Sequence, residues 1–139
     1  METTFENSKY KITWFPKGEI VEFYMKDLEI EKDDVVEMHV QTLRLTKGQV
    51  YASIFSAQDF FSISAEARSE GSKPYYSENL IAQAFVVKNM AQRLLGNFIM
   101  KFNRPVKETK MFGTHAEARL WVNAKIKQYH ILKNKEAAA

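Results

Sequence analysis

The sequence predicts a single α/β domain built on a mostly parallel sheet of four to five strands, opened by an N-terminal β-hairpin and covered by four helices. Three observations predict it. Two β-rich runs flank a turn bearing Pro and Gly near the start. Strand-like and helix-like segments then alternate to the end. One run, Leu80-Ile-Ala-Gln-Ala-Phe-Val-Val87, is almost continuously apolar, as suits a central strand covered on both faces. Strands linked through helices pair in parallel, because a parallel connection needs a crossover.

Each element has its own signal. Tyr10-Lys-Ile-Thr-Trp14 alternates apolar with polar residues, Ile20-Val-Glu-Phe-Tyr-Met25 is β-branched and aromatic, and Phe15-Pro-Lys-Gly-Glu19 turns between them, giving a hairpin over 9–15 and 19–25. Asp33 and Asp34 suit the N-terminal dipole of a first helix over 33–46. Val36, Val40 and Leu43 form its apolar stripe, and Gly48 takes the C-cap. Gln49-Val-Tyr-Ala-Ser-Ile-Phe55 reads as the third strand. A short helix over 64–70 follows, with Ser62 or Ser64 as N-cap and Gly71 ending it, and then a loop over 72–77.

After the central strand, a third helix over 89–103 is unusually apolar, with Ala91, Leu95, Phe98 and Phe102 in helical register and Met90, Leu94, Ile99 and Met100 widening the stripe. Arg104-Pro105 stops it. Glu108-Thr-Lys-Met-Phe112 is a short edge-like strand. Thr114-His-Ala-Glu117 is a capping box that starts the last helix, which presents Ala118, Trp121, Val122, Lys125 and Tyr129 on one face with Ile126 beside them.

With 139 residues, 45% of them hydrophobic and 27% charged, the chain suits one domain over 1–139, its core at about 9–130 and a fraying, mobile tail at about 131–139. The absence of cysteine excludes disulfides, thiolate metal sites and cysteine nucleophiles. The acidic, polar start does not read as a secretory signal, and no apolar run approaches the ~18 residues of a membrane span, so a cytoplasmic location is expected. The 20 basic residues against 17 acidic ones give a net charge of +3, and the excess in the last third reads as solvated helix faces, with no nucleic acid expected.

Three segments and the strand order carry a resemblance. The segments are Ser64-Ala-Glu-Ala-Arg68, Leu94-Leu-Gly-Asn-Phe-Ile-Met-Lys-Phe-Asn-Arg-Pro105 and Phe112-Gly-Thr-His-Ala-Glu-Ala-Arg-Leu-Trp121. From Tyr10 to Val122 the chain resembles the SpoIIAA-like group of STAS-type domains, small α/β proteins often found as single-domain bacterial chains. In members that antagonise anti-sigma factors, a serine preceded by Asp is phosphorylated to switch partner binding. The resemblance places Ser64 at or near that serine, with Ile63 standing where the group has Asp and Glu66 where it has Gly. Read from the residues alone, Ser62 and Ser64 are helix caps.

Chemistry-bearing motifs are few. His39, His115 and His130 lack metal-ligand spacing, no Gly-x-Ser-x-Gly elbow or Gly-rich phosphate loop occurs, and Asp33-Asp34 is explained by its helix. Neither catalysis, metal nor cofactor is therefore expected. Two surfaces remain. The first, Asp59, Phe60, Phe61, Ser62 and Ser64, would bind a protein partner in a regulatory or interaction module. The second, Phe85, Leu94, Leu95, Phe98, Ile99 and Phe102, would line a pocket for a small apolar ligand with the third helix as lid, or form the face of a homodimer.

Overall fold

The computed structural model describes residues 2–26, 29–59 and 61–138. Its main sheet has six strands in the order β1 (Thr4–Glu6), β2 (Tyr10–Phe15), β3 (Ile20–Met25), β5 (Tyr51–Ala57), β7 (Leu80–Val86) and β8 (Thr109–Phe112). The first three pair antiparallel, and β3, β5, β7 and β8 pair in parallel. A separate parallel pair joins β4 (Glu29–Ile30) to β6 (Ser62–Ile63). The helices are α1 (Lys32–Thr46), α2 (Ala65–Gly71), α3 (Met90–Phe102) and α4 (His115–Ala138), with a 3-10 turn at Pro74–Ser77 where the sequence reads as loop.

The sheet is one strand wider than expected. The added strand, Thr4-Phe5-Glu6, is too short to show an alternation, and it is held by pairing with Lys11–Thr13 and by Phe5 packing on the core. The continuously apolar run forms β7, an interior strand between β5 and β8.

Helix α1 lies where expected but is rotated. Val36, Val40 and Leu43 are exposed, whereas Val35 and Met38 pack on the core and Thr42, Leu45 and Thr46 are buried. The two threonines tolerate burial because each hydroxyl donates to the carbonyl four residues back, Thr42 Oγ1 to Met38 O at 2.7 Å and Thr46 Oγ1 to Thr42 O at 2.8 Å. Helix α4 continues to Ala138, through the segment read as a frayed tail. Residues 131–138 are exposed, and their Lys, Glu and Ala favour helix without tertiary contacts.

The two sheet faces carry separate cores. Under α4, Ala118, Val122 and Ile126 meet Ile20, Ala52, Ile54, Ala84 and Val86. On the other face, Phe23, Met25, Tyr51 and Leu80 meet α1 and the β4–β6 pair. Helix α3 packs on this second face at β8, where Gly96 meets Met111.

Candidate functional site

The site begins with a row of side chains set by strand register. Ile12, Phe23, Phe55, Phe85 and Met111 are successive partners across β2, β3, β5, β7 and β8. Residues paired in this way project to one face. Phe23 stacks on Phe55 with centroids 4.5 Å apart, and Phe55 meets Phe85 edge-on at 5.7 Å. These three rings make the floor of a cavity of ≈ 240 Å³. Val35 and Met38 of α1 and Ala67 and Arg68 of α2 supply walls, and Leu95, Gly96 and Ile99 of α3 supply the roof.

Helix α3 is fixed at its start and pressed down at its middle. Asn89 caps it by accepting from Gln92 N at 2.9 Å, and Gln92 Nε2 donates to Gln58 O at 2.7 Å, tying the first turn to the end of β5. At Gly96 a Cβ would stand 2.5 Å from Met111 Sδ. Glycine thus lets the helix backbone approach β8. Only one side of α3 is used in this way, for Met90, Leu94, Phe98 and Phe102 point outward with 69%, 61%, 43% and 61% of their surface exposed.

The cavity is apolar with a small polar inventory. Among the described residues three buried side-chain atoms have no hydrogen-bond partner, Ser53 Oγ, Arg68 Nε and Asn103 Oδ1, and all three belong to residues that line it. Arg68 also donates from Nη1 to Ile63 O at 2.5 Å and lies 4.8 Å from the centroid of Phe98. His39 packs between Tyr75 and Tyr76, at 4.9 and 5.0 Å. Burial holds its imidazole below the usual value, partly offset by Glu78. Burial also pushes the Tyr51 phenol up to about 12. Tyr76 Oη donates to Glu70 Oε2 at 2.5 Å, and this bond holds the Glu70 carboxyl below its ordinary range with help from Lys73.

The two candidate surfaces fare differently. Phe85, Leu95 and Ile99 come together around the cavity, whereas Leu94, Phe98 and Phe102 are exposed and are not among the described residues that line it. From the first surface, Phe61 turns inward onto the core and lines the cavity, so it is not an exposed contact. Asp59 and Ser62 are exposed, and Ser64 is the α2 N-cap, its Oγ accepting from Ala67 N at 3.1 Å. Phe60 falls outside the described residues. Ser53, Arg68 and Asn103 escaped the sequence reading because nothing in their local pattern marks a side-chain atom that will be buried without a partner.

The histidines stay apart. His115 sits 2.6 Å from Glu22 and His130 2.7 Å from Glu19, both on the α4 side. Among the described residues no group of His, Asp and Glu is arranged to hold a metal ion, and no helix is long and apolar enough to cross a membrane.

A family model described as a domain of unknown function, DUF7793, matches residues 13–126. One similar solved structure is that of an uncharacterised protein of the DUF3478 family with a SpoIIAA-like fold from Shewanella loihica PV-4. It is 14% identical, covers 88% of this chain and 98% of its own, and has a TM-score of 0.59. That likeness establishes the fold and nothing of the activity. No curated protein matches the chain.

Proposed function

The chain belongs to the DUF7793 family and has a SpoIIAA-like fold, and from that premise we propose that it is a non-enzymatic binding domain for a small, mainly apolar ligand lodged beneath α3. The observation that carries this reading is the cavity of ≈ 240 Å³ between the Phe23-Phe55-Phe85 floor and the Leu95-Gly96-Ile99 roof. Protein interiors are close-packed, and an apolar space of this size forfeits contacts that a ligand would restore. A dry cavity of about 150 Å³ takes up benzene, so this one suits a ligand of roughly ten non-hydrogen atoms.

The test has two parts. Native mass spectrometry of the purified chain should show a discrete surplus mass that denaturation removes, or an empty chain that takes up 1-octanol. In the second case, NMR cross-saturation from the octanol methylenes should reach the methyls of Leu95 and Ile99. An empty chain that takes up no octanol would overturn the reading.

A second reading is supported by the outer face of α3. Between Glu78 and Glu108 the chain has no carboxylate side chain, while Lys88, Arg93, Lys101, Arg104 and Lys107 flank the exposed Leu94, Phe98 and Phe102. An apolar face flanked along the chain by these cations suits an anionic lipid surface. A second copy laid on the same face would oppose like charges. Sedimentation with phosphatidylserine vesicles but not with phosphatidylcholine vesicles is expected. Equal sedimentation with both, or a dimer that Phe102→Ser splits, would reject this reading.

A further inference from the structure

The geometry points to a specific head group: we infer that the ligand beneath α3 is a monoanion, an apolar body ending in a carboxylate, received by Arg68. This rests on the ligand-binding reading above and goes beyond it by naming the chemistry of the polar end.

Among the described residues that line the cavity, Arg68 alone carries a fixed charge. The lining holds no carboxylate and no lysine. Nor does Arg68 have an acidic partner elsewhere among the described residues. Its neighbours along α2 are not available for the role: Glu66 is exposed, and Glu70 is engaged by Tyr76 and Lys73. A guanidinium partly withdrawn from water without a counter-ion is costly, and an anion brought to it recovers that cost.

The guanidinium is also positioned rather than loose. Its Nη1 is spent on the Ile63 carbonyl, and its carbon lies 4.8 Å from the Phe98 centroid, which leaves Nε as a buried donor with nothing to donate to. A carboxylate oxygen is the acceptor that such a donor binds most strongly. Ser53 contributes an unpaired hydroxyl, a second donor, to the same space, whereas the unpaired atom of Asn103 is its amide oxygen, an acceptor that gives a carboxylate nothing. One cation balances one negative charge. A phosphate monoester would bring a second charge into an apolar cavity with nothing to neutralise it, so the carboxylate fits better.

The experiment compares octanoate with 1-octanol, two probes with the same eight-carbon chain and about ten non-hydrogen atoms each, the size the cavity suits. Calorimetric titration of the wild-type chain at neutral pH should give octanoate about tenfold tighter binding or more, the gain expected of a charge-assisted hydrogen bond. In Arg68→Met that preference should vanish while 1-octanol binding is retained. In Arg68→Lys part of it should remain. The wild-type comparison decides the matter even if Arg68→Met fails to fold. Octanol binding as tight as octanoate, or octanoate binding that Arg68→Met leaves unchanged, overturns the head-group inference and leaves the cavity reading standing. No binding of either probe overturns both.

Discussion

The two faces of one sheet make a controlled comparison, since they share strands, register and backbone. Under α4, the alanines at 52, 84 and 118 let the helix sit close, and Ile54 and Val122 fill the space between. On the other face the row is Phe23, Phe55 and Phe85, and a cavity is left between these rings and α3, which meets the sheet at Met111 through Gly96. Small residues opposite a helix close a core, and a row of large rings under a helix resting on its edge opens one. The difference lies in side-chain volume on alternate residues of the same strands. The closed face is packed shut, and the open face keeps the space in which a ligand is proposed.

Truncation should break the comparison most severely. Ile54→Ala removes a side chain 1% exposed from the closed face, with tightly packed neighbours that cannot collapse inward. A loss of about 3 kcal/mol is expected in urea unfolding. A loss under about 1 kcal/mol would mean that the α4 face is not the close-packed core described here.

Enlargement sharpens the contrast because its sign should reverse between the faces. Ala84→Leu, with no exposed surface and α4 directly above, should cost about 2 kcal/mol by overpacking. Ser53→Val, the nearby β5 position on the other face, adds a methyl toward free space and removes a hydroxyl that has no partner. It should stabilise the chain by about 1 kcal/mol. If both substitutions destabilise alike, the cavity is filled in solution or closes readily.

The sequence disclosed the elements better than it disclosed their faces. The hairpin, the interior strand at Leu80–Val86 and all four helices fall close to where their signals place them, because turn residues, caps and continuous apolar runs act locally. Facing is decided by what lies across the gap. Helix α1 carries two interleaved stripes, and spacing alone favours Val36-Val40-Leu43. The stripe that packs runs through Val35, Met38, Thr42 and Leu45, and its threonines read as polar until their hydroxyls are seen bonded within the helix. The excess of apolar residues on α3 was legible, but its division was not. Which of Leu94 or Leu95 faces inward is fixed by Gly96 meeting Met111, a contact between residues fifteen apart that no local pattern reports. The polar atoms of the cavity were not legible at all, since Ser53, Arg68 and Asn103 come from three elements that only the fold brings together.

The smallest expected effect is one of pH, and it is read at the open face. His39 lines the cavity between Tyr75 and Tyr76, and burial lowers its pKa from the ordinary 6.5, with Glu78 opposing. A histidine depressed in the fold holds fewer protons than in the unfolded chain between its two pKa values. Its contribution is therefore fully present above 6.5 and is lost as the pH falls through the window down to the folded value. Melting temperatures measured from neutral to mildly acidic pH should show this decline, and His39→Gln should flatten it. Tyr76 and Glu70 beside it do not blur the window, because the Tyr76 phenol is pushed up to about 12 and the Glu70 carboxyl is held below 4.5. Octanol should deepen the decline, since an apolar occupant of the cavity favours the neutral ring. A pH profile that neither His39→Gln nor octanol alters would place the imidazole in water, outside the space assigned to the ligand.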